Sequence, residues 1–214
     1  MLSALRLCFM TIYLYKGDLP DDLDLGSEVA VDTETQGLNP QRDRLCVVQL
    51  SSGDGNAHLV QLGVDDYAHA KNLKTLMQDP KVTKIFHFAR FDVAVMKKYL
   101  NIDVNPVFCT KIASKLVRTY TDRHGLKDLL RELLGVQLDK QQQSSDWAAS
   151  DLSEDQQVYA ANDVYHLHAV KKILEDMLAR ENRTDIARRC FDFLPARADL
   201  DLMGWNDHDI FSHS

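Results

Sequence analysis

Paired cysteines are missing. Cys8, Cys46, Cys109 and Cys190 lie far apart, with no C-x-x-C pair and no cysteine/histidine cluster at zinc spacing. That excludes a disulfide framework and a structural zinc, and it suits a reducing cytosol. Also absent is any apolar run long enough to span a membrane. The first apolar stretch, Leu2 to Met10, is interrupted by Arg6 and runs into Thr11-Ile12-Tyr13-Leu14-Tyr15 with no small-residue cleavage site, which makes it a poor signal peptide. Residues 1–10 read as a start-site extension or an extra strand edge. Neither G-x-x-x-x-G-K nor G-x-G-x-x-G occurs, which argues against a phosphate loop, and there are no repeats or low-complexity tracts. Positive charge is in deficit: 25 Lys and Arg against 32 Asp and Glu give a formal charge of −7. A protein that coats duplex DNA needs the opposite balance on its binding face. A cleft of carboxylates is still compatible with nucleic-acid chemistry, because it attracts phosphate once divalent cations load.

What is present is an ordinary globular composition, 45% hydrophobic and 27% charged over 214 residues, enough for one sizeable core. The reading is therefore a single domain, 1–214. Val29-Ala30-Val31 predicts a short buried strand, Leu45 to Leu50 a second, and His58 to Leu62 a third after a turn cluster at 51–56; with Thr11 to Tyr15 the first third reads as a β-meander. Helical and extended segments then alternate. A helix is expected at Asn72 to Gln78, a strand at Lys84 to Phe88, a helix at Ala89 to Leu100, a strand at Val107 to Cys109, and helices at Thr110 to Val117 and Leu126 to Leu134. The polar stretch Lys140 to Ser145 reads as a loop or a frayed helix end. Ser153-Glu154-Asp155-Gln156 has the form of a capping box and opens a long helix towards Asn182. Strands first and helices interleaved later predict an α/β domain with a mixed central sheet flanked by helices.

Three acidic elements stand out. Asp32 and Glu34 follow a buried strand at a spacing of two, which puts both carboxylates on one face. Their mutual repulsion is relieved by a bound cation, and hard oxygen ligands suit Mg2+ or Mn2+ rather than zinc; the alternative is a solvated strand end. Asp92 lies in the first turn of an apolar helix, where the helix dipole alone could account for it. Tyr159 and Asp163 are one helical turn apart, with small residues between them that allow close packing; a core ring beside a surface acid would look the same.

D-x-E on a strand, Asp on the helix after a later strand, and Y-x-x-x-D on a late helix occur here in one order. That order resembles the DEDD 3'-5' exonucleases, in the branch with tyrosine in the last motif that includes ribonuclease D, and the resemblance runs from about Thr11 to the end. It is closer still to the short bacterial nano-RNase C group through 31–35 (VDTET), 42–51 (RDRLCVVQLS), 119–127 (TYTDRHGLK), 141–147 (QQQSSDW) and 209–214 (DIFSHS). The resemblance implies an RNase H-like (DnaQ-like 3'-5' exonuclease) fold and exoribonuclease activity on very short single-stranded RNA, especially dinucleotides. It also implies a ring-shaped homo-oligomer, an octamer, and the absence of ribonuclease D's extra helical RNA-binding domains. Two divalent ions, typically ~3.5 to 4 Å apart in such sites, would clamp the scissile phosphate. In that pattern Asp32 bridges both ions, Glu34 and Asp163 complete one site, Asp92 reaches the other through water, and Tyr159 orients the attacking water.

Substrate contacts follow from the same resemblance. Leu38 matches the family wedge between terminal bases, against the alternative of a loop anchor in the core. His87, Arg90 and Phe91 lie within a turn of Asp92, where a ring can stack and a guanidinium can pair with phosphate. His87 read on its own is a core or strand-end histidine. Arg118, Tyr120, Arg123, His124 and Lys127 form a basic, aromatic stretch that is either a cap for a 5' phosphate or a solvated loop. Ser145 and Trp147 belong to the matching segment 141–147. The tail from Phe191, with Phe193, Trp205 and Phe211, is too aromatic for a disordered end and is expected to pack on the domain or on a neighbouring subunit. Rival readings are a ribonuclease D-like trimmer of structured RNA, an exonuclease on DNA 3' ends, and a catalytically silent nucleic-acid-binding subunit.

Overall fold

The structure, a computed structural model, describes residues 10–138, 142 and 144–213. Residues 1–9 and, within the polar stretch 140–145, residues 140, 141 and 143 lie outside the described residues. The strands are β1 (Thr11–Lys16), β2 (Glu28–Thr35), β3 (Leu45–Ser51), β4 (Asn56–Gln61), β5 (Thr83–Phe86) and β6 (Val107–Cys109). They form one sheet in the order β1-β4-β3-β2-β5-β6. β2, β3 and β4 pair antiparallel, whereas β5 pairs parallel with β2 and β6 parallel with β5. The mixed sheet is thus as expected, with one correction: β1 does not extend a meander but pairs parallel with β4, Thr11 opposite Asn56 through Lys16 opposite Gln61. Parallel pairing needs a crossover and leaves no local mark in sequence.

The helices are α1 (Lys71–Gln78), α2 (Ala89–Leu100), α3 (Thr110–Val117), α4 (Leu126–Leu129, continued by a π-helical stretch Leu130–Leu134), α5 (Glu154–Tyr165), α6 (Leu167–Arg180), α7 (Thr184–Asp192) and α8 (Leu194–Leu202). β3 is buried at every position, as befits a strand covered on both faces. The Ser153–Gln156 capping box is formed, the Ser153 hydroxyl accepting from the Gln156 amide and the Gln156 side chain accepting from the Ser153 amide. The helix it opens is shorter than expected: His166, at φ −101° and ψ −4°, ends α5 and α6 starts anew. The break lets α5 lie across β2, β3 and β4 while α6 packs on α3. Nor is the segment from Phe191 a loose tail. Phe191 closes α7 in contact with Phe108, and α8 packs against α2. Among the described residues no helix is long and apolar enough to cross a membrane.

Candidate active site

β2 lies inside the sheet, between β3 and β5, and its C-terminal half carries Asp32 opposite Gln49 and Glu34 opposite Val47. The register shifts between Glu34 and Thr35, a bulge that re-aims the end of the strand. α5 crosses this end, and the fully buried Ala160 and Ala161 let it approach closely. Asp163 is thereby set beside the strand: single carboxylate oxygens of Asp32, Glu34 and Asp163 all lie within 4.8 Å of one another. Asp92, only 3% exposed, enters from the first turn of α2 and accepts a 2.6 Å hydrogen bond from the Thr33 hydroxyl. Tyr159 sits one turn before Asp163, its ring 6.0 Å from that of Trp147.

The cluster is electrostatically strained without a cation. Burial, and then the charges of Asp92, Asp163 and Glu34, hold the Asp32 carboxyl well above the ordinary carboxylate range. Burial and then Asp163 and Asp92 push Glu34 up to about 9. Burial raises Asp92 to about 7 against the opposing Thr33 hydrogen bond. The Tyr159 phenol is pushed up by burial and then by Asp163, Glu34 and Asp32. An all-oxygen donor set with this excess of negative charge fits a hard divalent cation.

The remaining residues singled out by sequence fall into distinct environments. The loop after β2 is closed by Asp43, which accepts from the Asn39 amide and pairs with Arg42. Gly37 is packed so close that an added Cβ would stand 2.3 Å from an Asp43 oxygen. Leu38 projects from this loop 88% exposed, which rules out the core-anchor reading. His87 is within hydrogen-bonding distance, 2.9 Å, of the Thr110 hydroxyl, and Phe91 is half-buried against the core. Arg90 departs from the phosphate-pairing expectation, since it makes a two-pronged ion pair with Asp201 of α8. Tyr120 is 74% exposed and Arg123 is exposed, while His124 meets the Ser114 hydroxyl at 2.8 Å. Arg118 is not available as a phosphate cap: it is fully buried, donating to Ser114 and the Arg123 carbonyl and paired with Glu132. Ser145 accepts from the Gln156 side chain. Trp147, expected among the substrate contacts, is 2% exposed in a small core with Cys46, Val47 and Leu59, where it backs Tyr159. Sequence reasoning passed over Thr33, although a hydroxyl between two acids was a readable signal.

A 3'-5' exonuclease family model matches residues 18–179. The chain belongs to the 3'-5' exonuclease family. Among curated relatives, ribonuclease D of Gluconacetobacter diazotrophicus is 36% identical over 159 residues, 73% of this chain but 39% of that protein. DNA polymerase I of Aquifex aeolicus is 34% identical over 148 residues, 69% of this chain and 24% of that one. This exonuclease chain therefore spans well under half the length of these relatives. Brucella melitensis NrnC bound to pGG superposes with a TM-score of 0.92 at 56% identity, covering 96% of this chain and 100% of that one. The same protein with bound Mg2+ gives 0.91 at 55% identity, with the same coverage. Escherichia coli RNase D, at 24% identity and a TM-score of 0.69 over 80% of this chain and 45% of that one, shares the fold.

Proposed function

We propose that this exonuclease removes nucleotides from the 3' end of short single-stranded RNA, dinucleotides above all, releasing 5'-mononucleotides. The observation that carries the reading is the convergence of Asp32, Glu34 and Asp163 to within 4.8 Å, with Asp92 tied to the same strand through Thr33. Two divalent cations, Mg2+ or Mn2+, would be held there by Asp32, Glu34, Asp92 and Asp163. Bound cations supply charge stabilisation at the phosphate and acidify the attacking water.

The chain's own groups then have separate tasks. The four acids, three on the rigid strand and α5 and one on α2, set the position of the reacting phosphate, so that water attacks phosphorus as the bond to the upstream 3' oxygen breaks. Tyr159 orients the attacking water by hydrogen bonding; burial first, and in the cation-free site the charges of Asp163, Glu34 and Asp32, favour its protonated phenol. Leu38 would wedge against a base; its exposure, in a loop braced by Asp43, supports that reading. A dinucleotide preference is supported by the 56% identity to the NrnC chain bound to pGG. A cytoplasmic location and a homo-oligomeric ring are part of the same proposal. The exposed Trp205 and Phe211 offer apolar surface for such contacts.

The test is a time course on a 5'-labelled dinucleotide, a longer RNA and a DNA oligonucleotide, each with Mg2+ or chelator, for the wild type and Asp32→Ala. Fastest, chelator-sensitive loss of the dinucleotide that vanishes in the folded variant is expected. Faster trimming of the longer RNA or of DNA would replace the dinucleotide reading, and chelator-resistant turnover would remove the metal site from the mechanism.

A further inference from the structure

A second cleft, of about 510 Å³, opens between the start of α2, α3, α7 and the start of α8. It is within the ~300–1,000 Å³ range of small-molecule sites. None of the four candidate metal-holding acids lines it. Its walls are apolar and aromatic, with Phe88, Ile112, Ile186 and Phe193 among them, and Phe88, Ile186 and Phe193 are each at least 40% exposed. Phe88, which lines the cleft, is held at φ +69°, a left-handed conformation that a phenylalanine adopts only under the constraint of its surroundings.

The charge lining the cleft is of one sign. Although the chain as a whole carries −7, no Asp or Glu is among the lining residues, while Arg90, Lys111, Lys115, Arg189 and Arg197 are. Three of these are already compensated, Arg90 and Arg197 by Asp201 and Arg189 by Asp185. Lys111 and Lys115 make no ion pair among the described residues. They stand one turn apart on α3, and the Lys111 ammonium lies 4.3 Å above the Phe88 ring. Burial first and the Lys115 charge second pull the Lys111 ammonium below its usual value. An anion would relieve that repulsion, and an aromatic ring attached to it would cover Phe88 and Phe193.

We propose that this cleft is a nucleotide-binding site separate from the carboxylate cluster, taking a nucleoside 5'-monophosphate with its base against Phe88 and Phe193 and its phosphate on Lys111 and Lys115. The same chemistry is offered by a free mononucleotide and by one nucleotide of a longer RNA. The free mononucleotide is the better fit, because the cleft is bounded by four helices rather than extended along a groove. Phe88 stands four residues before Asp92, so occupancy acts next to the N-terminal turn of α2, and the site is suited to sensing the mononucleotide level.

Calorimetric titration of the full chain with 5'-AMP in excess chelator removes cation-bridged binding at the carboxylate cluster, and the variants named below assign the remaining binding to this cleft. One AMP per chain is expected, with adenosine and inorganic phosphate each binding at least tenfold more weakly. Lys111→Gln combined with Lys115→Gln should weaken AMP at least tenfold, and Phe193→Ser, an exposed position, should do so independently if the double variant folds poorly. No saturable binding up to millimolar AMP would overturn the proposal. So would equal affinity in the folded variants, or binding of an RNA oligonucleotide without binding of AMP. Because chelator abolishes any metal-dependent hydrolysis, failure here is distinguishable from failure of the exonuclease reading.

Discussion

The Thr33 hydroxyl donates a 2.6 Å hydrogen bond to the Asp92 carboxylate, joining β2 to α2 across 59 positions of sequence. Both side chains are buried, so the bond is not exchanged for water. It is also the first of the hydrogen bonds that oppose the upward shift of Asp92, since it favours the ionised form. A buried hydrogen bond to a charged group is worth about 2 kcal/mol, which corresponds to on the order of 30-fold in rate if it is lost where the charge is needed. Thr33→Val, which keeps shape and removes the donor, is therefore expected to cut turnover at saturating Mg2+ by about that factor. Thr33→Ser keeps the donor and should restore most of it. Equal turnover in the valine and serine variants would show that the hydroxyl does not matter.

The protonation state of the cluster makes stability depend on pH in a metal-sensitive way. In the folded, metal-free chain Glu34 titrates at about 9 and Asp92 at about 7, against ~4.3 and ~3.9 for the unfolded residues. Between those limits these two groups hold more protons in the folded state than in the unfolded one, so their contribution to stability is full below about pH 4 and is lost as pH rises towards 9. Divalent cations remove the repulsion that causes the shift and compete with the protons. The increase in melting temperature on adding Mg2+ is thus expected to grow steadily from pH 6 to pH 8. Comparing with and without Mg2+ at each pH cancels the titration of histidines and of Lys84. An increment that shrinks with pH would contradict a cation site built on these carboxylates.

Some of this was legible from the chain alone. The apolar Val29-Ala30-Val31 marked β2, and the period of two placed Asp32 and Glu34 together. The bounds of β6 and α2 and the Ser153 capping box were also readable, because each depends on neighbouring residues only. What escaped depends on partners far away. Nothing near Thr11 says that it will lie beside Asn56, and no glycine or proline announces the break at His166. Trp147 and Arg118 look like ligand-binding residues by type, yet both are buried: the first finds its place only when α5 folds over β3 and β4, the second only when Glu132 comes round to meet it.

Lys84 is a further case of type misleading about place. The side chain is fully buried on β5, and its Nζ donates to the carbonyls of Asp79 at 2.8 Å, Val82 at 2.7 Å and Asn105 at 2.8 Å. Burial lowers it to about 8, yet three acceptors with no donor of their own require the ammonium. It therefore pins the turn before β5 to the segment before β6. Lys84→Met preserves the apolar stem and leaves three carbonyls without a partner, at a cost of about 3 kcal/mol. For a chain of this length that is a fall of roughly 6 to 12 °C in melting temperature. Mg2+ affinity, set at the other end of the sheet, should stay unchanged. A variant as stable as the wild type would mean that the carbonyls find water.

Asp201 binds two arginines at once, Arg90 of α2 through both carboxylate oxygens and Arg197 of its own helix, all at 2.6 Å. Arg90 also reaches the Asn206 carbonyl, so it ties the segment after α8 to the helix that carries Asp92. Asp201→Ala removes the carboxylate that Arg90 and Arg197 share. A buried pair broken from one side costs about 3 kcal/mol or more, discounted here because Arg90 is a third exposed. The expected outcome is a lower melting temperature and faster tryptic cleavage after Arg197, as α8 detaches from α2. Arg90→Met is the more discriminating variant, because it leaves Arg197 and Asp201 paired. If Arg90 serves the helix contact, the substitution lowers the melting temperature while KM for a dinucleotide moves little. A KM raised tenfold at unchanged melting temperature would instead place the guanidinium on the substrate phosphate and make its pairing with Asp201 a resting position.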